Sequence, residues 1–519
     1  MKIPRIKLCL FCFLMLVPLF VSHEAVAAKD TRFACGESVE AEVWALWDTN
    51  VRNFLHQQQL HDRLLKQGDV YALYDFQNYT HNMVSMARRC NRTNRLMEVA
   101  RLVHTAYGAL EPGIPSSSGR RWVCHGGAIC NDKNKLLNKE VMLDSAQFLA
   151  IASSVANALA LSNGTLGDEE KAFIRETVQI VTEHLLRWGS DAELSMLRKV
   201  TSAKPPRDKK GSSSSFFFTD KHLWMITIYA ELAGILQSQE SQYSSFAPRS
   251  LLQLFDSTLL AVDNKAKLRR HLSALLQFFA VRVSLQRNAN SRLGNVNLAD
   301  LDRGYWQFYP DNLYAGYEDD LKPVVCLPLK NDKHNFTMKF QVSADTVQKR
   351  QDTGWDFSHA CRLVHALDAL ERNRNSLRYV FSLSDNQLPN VDLPSAFANT
   401  LVAVIWNGDT AKPLFSNYWS GANGWFRVAY DIGIGQCREG YPPYGMTDSF
   451  LTGGYITWSR YRPIIGLLGQ SLYDLINSPV EASSPFIVKY YPSLSKSAGT
   501  QRKNLAKFMF LPSLVGVTK

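Results

Sequence analysis

Residues 417–448, NYWSGANGWFRVAYDIGIGQCREGYPPYGMTD, crowd an amide, an arginine, carboxylates, aromatic rings and glycines into one stretch of a chain that otherwise reads as amphipathic helix. Taken as a helix over 424–434, the stretch puts Asn423, Arg427 and Asp431 at i, i+4 and i+8, with Tyr430 beside Asp431, all on one face. These residue types suit removal of a proton next to a carboxylate. Asn423 or Arg427 would neutralise the carboxylate and so acidify the neighbouring C–H, and Tyr430 would take the proton. Trp419 and Trp425 before the face, and Tyr441 and Tyr444 after it, offer flat apolar surfaces for stacking. The same letters also fit an asparagine-capped helix with an ordinary Arg427–Asp431 pair on its solvated side.

A second cluster lies in GWDFSHACRLVHALDAL, where Asp356, His359, Arg362 and His365 recur every three residues opposite an apolar stripe. Steps of three on a helix drift by roughly 60°, so the four cannot converge on one ligand. Asp356 and His359, with Trp355 beside them, are the pair expected in a cleft. His359 and His365 are six apart, unlike the i, i+4 spacing of a helical zinc pair, and there is no CxxC, so neither a metal nor a cofactor is expected. Glycoside hydrolysis would instead need two carboxyl groups across a sugar. Asp356 and Asp448 are the candidates, with Glu318, Asp319 and Asp320 behind them. Ser420 lies in SGANG and not in a GxSxG elbow, and no phosphate- or dinucleotide-binding glycine loop occurs.

The elements that must position these groups start after a secretory signal. Lys2, Arg5 and Lys7 precede an apolar run over 8–21, and Ala25-Val26-Ala27 is a small-residue cleavage site, so residues 1–27 are expected to be removed on export to the periplasm or medium. The run is too short for a stable membrane span. Loss of three cations and Glu24 takes the formal charge from +11 to +9. A basic exported chain suits an anionic partner, here acidic polysaccharide. No basic helix or aromatic RNA-binding strand supports nucleic acid. Seven cysteines follow the signal. In an oxidising compartment Cys124 can pair with Cys130 and Cys35 with Cys90, and an odd count leaves one thiol over. Oligomeric state is not encoded in any of these features.

Along residues 28–476 the chain predicts a mainly α domain. Helices cover 38–110 with breaks near Gly68 and 90–93, and a helix apolar on nearly all sides covers 141–161. An amphipathic partner starts at Asp168, and a loop rich in proline, lysine and serine fills 201–215. Further helices follow Asp220, over 251–262 and over 265–285. A β or loop insertion lies near 289–345 with strands in VVCLPL and TMKFQV. Helices resume over 355–373, 395–406 and 449–476, a strand covers 377–383, and 477–519 reads as a loose tail. Inner and outer helices alternate in pairs joined by short connections, an arrangement that closes into a ring or extends as a solenoid. It resembles in architecture the (α/α) toroid of exported polysaccharide lyases, glycoside hydrolases and uronate epimerases. With the aromatic and polar cluster, it implies a carbohydrate-active enzyme cleaving an acidic polysaccharide by β-elimination. Hydrolysis by an Asp/Glu pair and a non-catalytic envelope scaffold binding glycan or protein are the alternatives.

Overall fold

The computed structural model describes residues 30–517 other than 114–118, 163–165, 205–215, 244–261, 330–331 and 432–436. The expected signal, most of the lysine and serine loop and nearly all of the helix expected over 251–262 fall outside the described residues.

The architecture is mainly α. Helix α1 (Ser38–Leu46) runs on through π-helical turns at Trp47–Val51 and Phe54–Lys66, and is followed by α2 (Tyr71–Arg89) and α3 (Thr93–Tyr107). Helices α4 (Met142–Ala160), α5 (Asp168–Trp188), α6 (Asp191–Ser202), α7 (Asp220–Tyr243) and α8 (Val262–Arg282) come next. Two antiparallel hairpins interrupt them: β1 (Val283–Ser291) with β2 (Gly294–Leu301), and β3 (Val324–Leu329) with β4 (Asp332–Phe340). The chain returns to helix in α9 (Phe357–Ala360), α10 (Arg362–Arg372), α11 (Arg374–Phe381), α12 (Leu393–Thr400), α13 (Ser449–Thr452), α14 (Pro463–Asn477), α15 (Pro485–Tyr490) and α16 (Thr500–Phe510).

Helix α4 explains the layering. Its small and apolar side chains are buried almost all round, so it packs between α2 and α7, with α3 and α5 outside it. Helix α7 passes the contact on to α10 and α11, and α16 packs back on α2. Residues 377–383, read as a strand, are mostly helix α11 instead. Leu377, Val380 and Phe381 bury a helical stripe, which outweighs their β propensity. The expected loose tail is also structured. Phe508, Phe510, Leu511 and Val515 are fully buried, and Arg89 donates to the carbonyls of Pro512 and Val515. The expected helix over 449–476 divides into α13, a 3₁₀ segment at Tyr455–Arg460 and α14, because Gly454 takes a left-handed φ of +74°.

Disulfides join Cys35 to Cys90 and Cys124 to Cys130, as the spacing predicts, and a third joins Cys326 to Cys437. Cys361 is the free thiol among the described residues. Three disulfides indicate an oxidising, extracytoplasmic location. Among the described residues, no helix is long and apolar enough to cross a membrane.

One consequence of burial is testable here. Asp300 on β2 is buried, and burial pushes its carboxyl up to about 7, against a hydrogen bond from the Leu301 amide and the charge of Arg303. A raised folded-state value favours folding while the carboxyl stays protonated. That contribution is complete below the unfolded carboxyl's usual value of about 3.9 and is lost as pH rises through about 7. The parent's advantage over Asp300→Asn in unfolding free energy from urea melts should therefore shrink between about pH 4 and pH 7, on top of the opposite trend from buried histidines such as His184 and His271, whose lowered values favour folding as pH rises. A difference between the two proteins that stays constant over that range would refute the assignment.

Candidate active site

The two clusters of polar residues meet because their backbones pair. The amide of Phe357 donates to the Asn417 carbonyl at 2.8 Å, and the amide of Trp419 donates to Trp355 at 2.7 Å. Stacked rings hold this junction from below: Phe357 lies 4.8 Å from Tyr455 and 5.3 Å from Phe415, nearly parallel to both. The start of α9 is thus fixed against residues 415–419.

Asp356 caps α9. Its Oδ1 accepts from the amides of Ser358 and His359 and from the Ser358 hydroxyl, and its Oδ2 receives Nδ1 of His359 at 2.7 Å. Burial alone would raise this carboxyl. His359, Arg427 and the Ser358 hydroxyl instead hold it well below the usual carboxylate range. An ionised carboxylate can only accept, so Nδ1 of His359 carries a proton. Nε2 faces Arg427, whose Nη2 stands 3.4 Å away and can only donate, a geometry that takes Nε2 as the acceptor.

Arg427 reaches His359 from an irregular loop. The helix expected over 424–434 does not form. Phe426 bridges to Tyr441 and Tyr430 to Arg438, while Arg427 and Ala429 adopt left-handed φ values of +52° and +58°. Non-glycine residues in this region are strained by about 1–3 kcal/mol each, so the surroundings must hold them there. The Arg427 amide and Nε both contact Asp311, and its guanidinium lies 4.7 Å from the Tyr430 ring centroid. The convergence expected on a helix face is therefore reached differently, by a bridged loop. Arg427 and Tyr430 stay together, and Asn423 and Asp431 separate from them.

Asn423 braces the loop, its Oδ1 accepting from the amides of Asn417 and Tyr444. Asp431 turns outward to Lys133 at 2.9 Å. Trp355, Trp419 and Trp425 are interior residues, 1–2 % exposed, so none presents a free face to a ligand. The indoles of Trp419 and Trp425 donate to the carbonyls of Ala299 and Asp319. Tyr441 stays partly exposed beside Phe426, and Tyr444 sits at a φ of +60°. Asp448 accepts from the Ser493 hydroxyl, and burial pushes it up to about 6. Glu318 pairs with Arg350, and Asp320 is exposed.

A cavity of about 330 Å³ opens beside the dyad, lined by Ser358, His359, Arg362 and Arg427 and, from α2, by Tyr74, Asp75, Asn78 and His81. Arg362 donates to the Tyr74 hydroxyl at 2.5 Å and to the Ser358 carbonyl at 2.8 Å. No family model, curated protein or solved structure matches the chain. What the site can do follows from its own donors and acceptors.

Those are the guanidinium groups of Arg362 and Arg427, the imidazoles of His359 and His81, the phenols of Tyr74 and Tyr79, the Asn78 amide and the Asp75 carboxyl around one polar cavity, with the Tyr430 ring against Arg427. Burial raises the Tyr430 phenol, and Arg427 only partly offsets this, so the phenol stays protonated and is a proton donor. Burial raises Tyr74 in the same way, with Arg362 opposing. Tyr74, Asn78 and Asp311 were not singled out in the sequence. A signal for the first two exists: Tyr74, Asn78, His81, Ser85 and Arg88 run at three- and four-residue intervals along α2, a polar seam in a helix whose other positions are largely buried. Asp311 has no such signal, since it comes from a short 3₁₀ turn at Pro310–Asn312.

Proposed function

We propose that this is an exported lyase that cleaves an acidic polysaccharide by β-elimination. The observation that carries the reading is the Asp356–His359–Arg427 chain. The carboxylate fixes the proton on Nδ1, leaving the Nε2 lone pair beside a guanidinium at the cavity wall.

In this reading Arg427, with Asn78 across the cavity, binds the uronate carboxylate and stabilises the charge that builds on it. His359 Nε2 removes the proton from the carbon bearing the carboxylate. The electron pair of that C–H bond forms a carbon–carbon double bond, and the bond to the glycosidic oxygen breaks. The departing oxygen takes a proton from a neutral phenol, for which Tyr430 is the candidate. This reverses the role suggested for Tyr430 by residue type alone, because a buried phenol is a better donor than base. Hydrolysis draws less support, since the four hydrogen bonds accepted by Asp356 commit it to the dyad. The return of α16 onto α2 supports reading the paired helices as an (α/α) toroid, and a signal over residues 1–27 is consistent with the disulfides.

Incubation with alginate, polygalacturonate and heparin should yield an unsaturated uronate, read as new ultraviolet absorbance. New reducing ends without that absorbance would favour hydrolysis, and binding without any cleavage would favour a scaffold. Tyr430→Phe should lower the rate of absorbance gain by about 10²-fold while leaving substrate affinity close to that of the parent. An unchanged rate would remove Tyr430 from the mechanism.

A further inference from the structure

A second and larger cavity, about 770 Å³, lies between α6, α8 and the end of α11 and shares no lining residue with the cavity beside His359. Its charged lining is all of one sign: Arg198 from α6, and Lys265, Arg269 and Arg270 from α8. No aspartate or glutamate lines it, and among the described residues none of these four cations has a carboxylate partner. Elsewhere in this chain exposed arginines are commonly paired, as Arg101 is with Glu169 and Arg460 with Glu371. One of the four has a structural task, since Arg269 donates to the Ser382 carbonyl at the end of α11. The other three leave uncompensated positive charge over a concave surface whose floor includes the buried Val380 and Phe381. A concave surface of one sign concentrates oppositely charged ligands.

The geometry points to a polyanion-binding subsite here, one that holds a distal length of the same acidic polysaccharide. The identity of the polymer rests on the lyase reading above; the presence of an anion site does not. Lys265, Arg269, Ser273 and Gln277 stand at four-residue intervals on one face of α8, about 6 Å apart along the axis. That is on the order of one pyranose unit in an extended chain. Cations at one end and neutral hydrogen-bonding groups at the other match a glycan, which carries both carboxylates and hydroxyls, better than a chain of phosphates.

The test uses the full chain carrying His359→Ala, so that ligands stay intact, with and without Lys265→Glu/Arg270→Glu. Long alginate, polygalacturonate and heparin, and trisaccharides of each, are titrated by calorimetry. For at least one polymer the paired substitution should weaken binding of the long chain by about tenfold or more and leave its trisaccharide unaffected. Lys265→Gln/Arg270→Gln, which removes charge without reversing it, should lie between. Equal affinity of all three proteins for every long chain would overturn the proposal, as would duplex DNA displacing the glycan at equal charge. These are binding measurements, so their failure is separable from failure of the lyase reading, which is decided by absorbance with the unmodified chain.

Discussion

Replacing His359 by alanine is expected to lower the rate of unsaturated-product formation by about 10²–10⁴-fold, the range of general-base catalysis. Asp356→Asn should do comparable damage through another route. An asparagine amide can donate as well as accept, so it no longer forces the proton onto Nδ1, and the lone pair at Nε2 is lost from part of the population. Neither substitution should move the thermal midpoint much: His359 is about a quarter exposed, and asparagine can keep the cap that Asp356 makes on α9 through two amides. Asp356→Ala, which removes that cap, should cost about 1 kcal/mol. Absorbance assays paired with thermal melts check both. A His359→Ala protein that keeps most of its rate would exclude this histidine as the base.

The largest expected loss of stability lies away from the site, at Glu231 on α7. Its side chain is 1 % exposed and is met by Arg372 at 2.5 Å, Asn157 at 2.6 Å and Asn373 at 3.1 Å. This network ties α4, α7 and the junction of α10 with α11. Glu231→Ala would take one acceptor from a part-buried guanidinium, which keeps Asp368 at 2.8 Å, and from two buried amides, so the cost should reach the low end of the range of about 3–5 kcal/mol for breaking a buried pair from one side. Glu231→Gln keeps the shape and an acceptor oxygen and should cost less. The same interior is closed at Gly234, where a Cβ would press into Asn157 and Asn373, so Gly234→Ala should also destabilise. Urea melts that place Glu231→Ala within about 1 kcal/mol of the parent would show that the network is not a structural bolt.

The helical body was legible because its signals are local. The apolar periodicity of α4, the break at Gly68 and the cysteine pairs at short and moderate spacing each depend on neighbours in sequence or on one face of one helix. The reading failed where burial depends on distant partners. The segment of α11 has the β-branched and aromatic content of a strand, yet tertiary contacts make it a helix. The final residues look loose until Phe508 and Phe510 are seen filling the interior beside α2.

The site divides along the same line. Sequence by itself determined the residue types, their grouping into two short stretches and the pairing of Asp356 with His359, since a carboxylate capping a helix lies within reach of a side chain three residues on. Only the tertiary structure decided that these stretches meet. The backbone pairing of 355–357 with 417–419, the left-handed turns at Arg427 and Ala429 and the opposing seam of α2 all arise from contacts between segments far apart in the chain. Helical arithmetic placed Asn423, Arg427 and Asp431 on one face, but the loop is no helix. Residues 417–448 keep the arginine at the cavity and the tyrosine against it because bridges to Tyr441 and Arg438, and the contact with Asp311, fix the loop that carries them. A regular backbone repeats directions that can be counted from sequence, whereas an irregular one takes its directions from whatever it packs against.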